Sequence, residues 1–323
     1  MRITRRQALP VLGLALPALA RAQAEWPARP IRMVIPYPPG GASDIIARLL
    51  APHLTELLGQ TLGVETRPGA NGFIAGELVA RAAPDGYTLL MANAGPNGMG
   101  PALYGSRTPY DAIRDFSAVM AVSVVPLILG VNPAVPARNI QELLAHARAQ
   151  AGRMSYGTAG IGSAGHMAME LLKSLTGAEI THIPYRGSAP TAADLIAGVI
   201  PASVDTAPSL LPHIAAGRVK GVAIFSSPRL AEAPDLAPVS ETVPGCEAVS
   251  WGGVLAPAGT PPAIIARLNA ALNQAIAKPE VHDALLRQGI QPQRGTPEAF
   301  AGYVGAEVAK WRGVVQRMAL RPE

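Results

Sequence analysis

The sequence predicts an α/β protein with a largely parallel sheet, laid out as two lobes. Short β-branched or apolar runs alternate with longer stretches whose apolar residues recur at helical spacing. A Pro-rich region, residues 227–245, breaks this alternation once before the chain resumes. The chain has 323 residues, 49% of them hydrophobic. That is enough to build two domains of about 100–150 residues each.

The first series opens at Ile31-Arg32-Met33-Val34-Ile35, an apolar run read as a buried strand and stopped by Pro36-Tyr37-Pro38-Pro39-Gly40-Gly41. A helix follows over 43–58, with Ile45, Ile46, Leu49, Leu50, Leu54 and Leu57 at helical spacing. A strand at 62–66, a turn at Arg67-Pro68-Gly69, a helix at 72–83 and a strand at 87–91 come next. The second series starts near Pro126, with strands at 127–131, 154–156, 180–183, 202–205 and 219–225. Helices at 140–149, 163–175, 189–197 and 208–216 lie between them. After the Pro-rich region come a strand at 249–256 and helices at 262–277, 280–288 and 297–318. These late helices imply that the chain returns to the first lobe. The lobes are therefore 25–125 plus 246–323, and 126–245.

Charge excludes a nucleic-acid role. The whole-chain balance of +5 comes largely from residues 1–24, which carry Arg2, Arg5, Arg6 and Arg21 and no acid. Without them 23 bases face 22 acids, so no basic footprint remains. Aromatics are only 4%, too few for a base-stacking platform.

Those 24 residues read as an export signal. Three arginines precede an apolar run from Leu9 to Ala20, and Ala22-Gln23-Ala24 supplies small residues for cleavage after Ala24. Thr4-Arg5-Arg6-Gln7 resembles a twin-arginine start, and an ordinary Sec signal fits as well. The run is too short to span a bilayer. The longest apolar run elsewhere, 122–131, contains Ser123 and Pro126, so the mature protein is expected in the periplasm. The single cysteine, Cys246, forms no intrachain disulfide and reads as packing.

Two glycine-rich strand-to-helix loops could do chemistry. In Pro38-Pro39-Gly40-Gly41-Ala42-Ser43-Asp44, glycines let the backbone approach a ligand, and the amides of a helix start favour a carboxylate or phosphate. No Lys-Ser/Thr follows, so a P-loop is excluded. Asp44 can hold loop amides or a water, while a plain helix start capped by Ser43 or Asp44 is the simpler alternative. The second loop runs from Tyr156 to His166, with Gly160, Gly162 and Gly165 in G-x-G-x-x-G spacing. As a dinucleotide fingerprint, with Arg186 taking a 2′-phosphate, it has its first glycine too far from the strand end and no acidic residue after the following strand. As a serine-hydrolase elbow it fails because Ile161 stands two before Ser163. His166 and Glu170 are spaced for pairing on a helix surface, and the six histidines show no zinc spacing. An exported NADP-dependent or hydrolytic enzyme using residues 160–166 is the rival to a binding protein whose two loops face one anionic solute.

At these residues the chain resembles the extracytoplasmic solute receptors of the Bug type, the binding components of tripartite tricarboxylate transporters. The resemblance runs through Trp26-Pro27-Ala28-Arg29-Pro30-Ile31, the Pro36–Gly41 turn with Asp44, Arg67-Pro68-Gly69-Ala70-Asn71-Gly72 and Pro84-Asp85-Gly86-Tyr87-Thr88-Leu89. It continues through the loop from Tyr156 to His166, Pro184-Tyr185-Arg186-Gly187, Pro212-His213-Ile214, Ala256-Pro257-Ala258-Gly259-Thr260-Pro261 and Lys310-Trp311. It implies a type II periplasmic-binding-protein fold, two α/β lobes joined by crossing strands with the ligand between them. It further implies a receptor, expected to be a monomer, that is no enzyme and has no cofactor or metal. Such a receptor passes a small carboxylate to a permease of one large and one small membrane subunit, or to a membrane signalling sensor.

The residues carried over to the ligand site are Tyr37, Gly40, Gly41 and Asp44 on one side. Thr158, Gly160, Gly162, Ser163 and His166 come from the other, with Arg186 beside Ser188 and the acidic residue Asp205 before Pro212-His213-Ile214. Departures fall at Ala197-Gly198 and Ser203-Val204-Asp205, where the family usually has Gly-Gly and Met-Phe-Asp. Pro201 there suggests a sheet edge or bulge. The stretch Asn93-Ala94-Gly95-Pro96-Asn97-Gly98 is also unusual, and Asn93 and Ala94 are expected to line the cleft.

Overall fold

The computed structural model describes residues 26–321, and the export signal expected at 1–24 lies outside them. The chain begins with β1 (Ile31–Ile35), α1 (Ala42–Leu58), β2 (Leu62–Thr66), α2 (Phe73–Ala80) and β3 (Thr88–Asn93). A wide π-helical turn over Gly95–Met99 leads into the short α3 (Gly100–Tyr104). Then comes β4 (Phe116–Val131), the longest strand described, followed by α4 (Ile140–Ala149), β5 (Ser155–Thr158), α5 (Ala164–Thr176) and β6 (Thr181–Pro184). The chain continues with α6 (Ser188–Ala197), β7 (Ala202–Thr206), α7 (Ala207–Ala215) and β8 (Lys220–Ile224). It closes with β9 (Val249–Pro257), α8 (Pro262–Ala277), α9 (Pro279–Arg287), β10 (Gln291–Pro292) and α10 (Pro297–Arg317).

Strand order is β2-β1-β3-β9-β4-β7-β5-β6, with β8 and β10 also pairing with β4. Ladders are parallel within β2-β1-β3 and β7-β5-β6, and antiparallel wherever β4 or β9 takes part. The expectation of a largely parallel sheet therefore holds only for the βαβ portions. Two crossing strands stitch those portions together. Residues 116–126 of β4 pair with β9, from Phe116↔Pro257 to Pro126↔Val249. Residues 127–131 pair with β7 on one side, and 128–131 with β8 on the other. The changeover falls at Pro126, which has no N–H to offer a ladder.

Most predicted elements stand within a residue or two, and α4 and α8 match at both ends. The strand read at 127–131, however, already begins at Phe116. β4 is buried on both faces over most of its length, so its sequence carries no alternation to read. Pro201 marks neither an edge nor a bulge. It precedes β7, which is interior between β4 and β5, and its carbonyl accepts the Asn132 N–H at 2.9 Å.

One apolar cluster runs from Val34 and Leu90 through Leu127 and Tyr156 to Trp311, so the two halves share a core. The Lys310-Trp311 stretch finds its place there. Buried Glu307 accepts the indole N–H of Trp251 at 3.2 Å and of Trp311 at 3.3 Å, tying α10 to β9.

Candidate functional site

The strand-to-helix turns of both halves meet where the sheets join. On the first side, β1 delivers the chain into the turn before α1. Gly41 is the N-cap and supplies no side-chain cap, and Ser43 does not cap the helix either. Asp44, in the first turn, instead reaches back to accept the Gly40 N–H at 3.1 Å, and Arg48 Nε donates to its other oxygen at 2.6 Å. That carboxylate fixes the loop while the first amides of α1 stay directed outward, at the positive end of the helix. Ser43 Oγ accepts from Asn93 Nδ2 at 3.2 Å, joining α1 to the end of β3.

On the second side, Ser163 caps α5 by accepting the His166 N–H at 3.3 Å. Gly162, at φ 78, gives its own N–H to His166 Nδ1 at 3.1 Å. Gly165 is obligatory for packing, since a Cβ there would sit 2.2 Å from the Val204 carbonyl oxygen. Its absence lets the first turn of α5 rest directly on β7.

Between these turns lies a cavity of about 50 Å3. Its first wall is Tyr37, Pro38, Gly41, Ala42 and Ser43, backed by Asn93 and Ser250. Its second wall is Ala159, Ser163, Ala164, Gly165 and Ser188, and Leu127, Val204, Asp205 and Thr206 complete it. The starts of α1, α5, α6 and α7 thus converge on one space, and no Lys, Arg or His is among the described residues that line it. Asp205 Oδ1 accepts from Thr206 N at 2.7 Å, Ser188 Oγ at 3.0 Å and Thr206 Oγ1 at 3.3 Å. Burial nevertheless pushes its carboxyl above the usual range. Burial, with Asp205 nearby, also pushes the Tyr37 hydroxyl up, and it donates to Asn71 Oδ1 at 2.9 Å.

The cavity is small beside the roughly 150 Å3 that holds a benzene. It continues past Tyr37, Pro38 and Ala159 into an outer groove of about 730 Å3, walled by Asn71, Tyr104, Gly160, Tyr185 and Arg186 among others.

Of the residues singled out in the sequence, Tyr37, Gly41, Asn93, Ser163 and Asp205 line the cavity, and Gly160 and Arg186 line the outer groove. Gly40, Asp44 and Gly162 do not line the cavity but hold its loops. So does Thr158, which is fully buried and bonds Gly160 and, at 2.7 Å, His182 Nε2. Ala94 is not a cleft residue, because the chain turns into the π-helical segment after Asn93 and packs Ala94 in the core. His166 faces a separate pocket of about 580 Å3 shared with Glu170, Lys173 and His182. Its ring centre lies 4.3 Å from that of His182. Burial lowers the two imidazoles to about 4 and about 3, so both are neutral. Glu170 pairs not with His166 but with Lys173 and the Tyr156 hydroxyl. No group of metal-ligating side chains occurs among the described residues.

Sequence reasoning passed over Leu127, Thr206 and Ser250, which reach the cavity only because β4, β7 and β9 cross, whereas Val204 belongs to the Ser203-Val204-Asp205 departure already singled out. Gly165, Ala164 and Ala42 had a local signal, since each lies in a motif already quoted. The Ser163–His166 pairing that a hydrolase would use is not formed here: His166 Nδ1 accepts the Gly162 N–H, and Ser163 Oγ bonds the backbone of His166 rather than its imidazole. Cys246 is buried, and burial pushes its thiol up to about 12, which leaves it no nucleophile at neutral pH. No helix among the described residues is long and apolar enough to cross a membrane.

Comparison with known proteins places this geometry among relatives. The family model described as "Tripartite tricarboxylate transporter family receptor" matches residues 46–320. Protein BugT of Bordetella pertussis is 38% identical over 306 residues, covering 94% of this chain and 93% of BugT. An uncharacterised-family protein from the tcbD-tcbE intergenic region of Pseudomonas sp. strain P51 is 37% identical over 318 residues, 97% of this chain and 94% of its own. Among solved structures, R. palustris Rpa4515 with adipate has a TM-score of 0.89 at 34% identity, covering 93% of this chain and 100% of that one. MatC from Rhodopseudomonas palustris with bound malate has a TM-score of 0.86 at 31% identity, covering 90% of this chain and 100% of MatC. The periplasmic binding protein BugD has a TM-score of 0.87 at 32% identity, covering 92% and 100%.

Proposed function

Because this chain belongs to the tripartite tricarboxylate transporter receptor family, we propose that it is a periplasmic receptor that closes over a small carboxylated solute and delivers it to a tripartite-type membrane permease. The observation that carries this reading is the convergence of four helix starts on one cavity without a cation. Backbone amides at helix N-termini favour an anion, and bonds to an ionised group are stronger than neutral ones. One carboxylate is held by Gly41, Ala42 and Ser43, with Asp44 ordering that loop, and the start of α5 clamps from across the cleft. The lobes are 25–125 plus 246–323 and 126–245, and the mature receptor acts as a monomer after cleavage at Ala24. That Rpa4515 and MatC were solved with adipate and malate supports a dicarboxylate or related acid as the class.

The test is thermal shift of residues 25–323 against a panel of carboxylates including adipate and malate, with NADP and neutral sugars as controls. A ligand at 100 times its Kd adds about 2.7 kcal/mol, which raises Tm by several degrees. Stabilisation by one class of carboxylate alone is the expected result. Stabilisation by NADP overturns the proposal.

A further inference from the structure

The Arg67–Gly72 stretch, whose residues 68–72 line the outer groove without entering the cavity, carries an inference of its own. Its Asn71 has a left-handed backbone, φ 54 and ψ 30, and its side chain is wedged where the two halves touch. Oδ1 accepts from the Tyr37 hydroxyl at 2.9 Å, within the first half. Nδ2 is buried and makes no hydrogen bond. What covers it comes partly from the second half. A Cβ on Gly162 would lie 2.7 Å from Nδ2, and one on Gly100, from the first half, 3.0 Å. Close by, a Cβ on Gly95 would lie 3.5 Å from the Gly162 carbonyl oxygen, so Gly162 is pressed onto the first half at this spot. Similar contacts flank the cavity, with Pro38 facing Gly187 and Gly41 facing Ser188, so the cleft is shut in this arrangement.

A buried donor without an acceptor is costly, whereas the same donor open to water is satisfied. Withdrawal of Gly162 would admit water to Nδ2, so the cost belongs to the closed state alone. We infer that Asn71 is an affinity-setting residue that penalises closure of the empty cleft, keeping the protein open until a ligand's contacts outweigh the orphaned amide. The inference rests on the receptor reading for its purpose but not for its test, which needs no ligand. By the population-shift relation, relieving the penalty also tightens apparent affinity, because the binding-competent closed state becomes more populated.

The experiment measures the distance across the outer groove in ligand-free protein. Spin labels go on Ser106→Cys, beside the Tyr104 wall, and Pro184→Cys, on the opposite wall, and buried Cys246 stays unlabelled. Tyr37→Phe serves as the background, so that no hydroxyl is orphaned when Asn71 changes. In that background Asn71→Leu keeps the size but removes the donor, and should raise the closed-to-open ratio about fivefold or more. Asn71→Asp buries a charge at the same place and should lower that ratio. Any backbone strain of Leu or Asp at φ 54 is common to both states and cancels. Asn71→Gly suits the left-handed backbone and also removes the donor, and should favour the closed state if the Leu variant folds poorly. An unchanged distance distribution, or Leu and Asp both opening the cleft as a packing role requires, overturns the inference. The carboxylate panel on unmodified protein tests the receptor reading separately.

Discussion

Gly41→Val probes the proposed anion site most directly. Gly41 has φ −90 and ψ 172, an extended conformation open to any residue, so the substitution carries no backbone strain. A Cβ there stands 3.7 Å from Ser188 Oγ across the cleft, which is ordinary contact. Alanine should therefore change affinity less than about threefold, staying within the small range of a tolerated contact. Valine extends one further bond of about 1.5 Å. A methyl directed across the cleft then comes to roughly 2–2.5 Å from Ser188 Oγ, too close for the walls to meet. Overpacking of this kind costs about 1–3 kcal/mol, or roughly 5–150-fold in Kd. Isothermal titration with the carboxylate that most stabilises the wild type is the assay. The ligand-free Tm should move by no more than about 2 °C, because the added methyls face the opposite half rather than the first-half core. A folded Gly41→Val protein that binds as tightly as the wild type refutes the placement of the carboxylate at the start of α1.

Other predictions follow from the loops around the cavity. Asp44→Ala removes the acceptor of the Gly40 amide and the favourable charge in the first turn of α1; it should cost about 1 kcal/mol of stability and weaken binding, read by urea unfolding and titration. Gly165→Ala drives a Cβ into the Val204 carbonyl, and a Tm loss of several degrees is expected by calorimetry, with an unchanged Tm showing that α5 does not rest on β7. His166 and His182 are neutral in the fold with values lowered to about 4 and 3, below the usual 6.5. The unfolded chain therefore binds more protons as pH falls from about 6.5 toward 4, and stability should drop over that window while staying level above it. His166→Asn, whose oxygen can accept the Gly162 N–H, should make the Tm profile shallower there, His182 supplying the slope that remains. NADP should produce no thermal shift at any concentration that saturates ordinary NADP enzymes.

Much of the fold was legible because helices such as α4 and α8 carry an unbroken apolar stripe and clear start residues. β4 hid its first half because a strand buried on both faces shows neither alternation nor a turn signal before Pro126. In the site, local motifs pointed to the loops that carry Gly41 and Ser163, since a glycine-rich turn before a helix is visible in one stretch of sequence. They did not say which way each residue faces. Thr158 and His166 stand in the same loop as Ser163, yet they point into hydrogen-bond frameworks behind it. Ser250 and Leu127 had no local signal at all, because their place depends on strands meeting from distant parts of the chain.

The position of β9 has a consequence for how this protein comes into being. In the finished sheet it lies between β3 and β4, so the edge of β3 has no antiparallel partner until residues 249–257 exist. During synthesis from the N-terminus, the ribbon β2-β1-β3 would wait with an open hydrogen-bonding edge while the whole second half is made. Exposed edges of that kind invite pairing with other chains, and contacts so distant in sequence form slowly. The nascent first half is thus bound to stay unfinished until the last quarter of the polypeptide arrives, and escorts that mask strand edges would matter most during that interval.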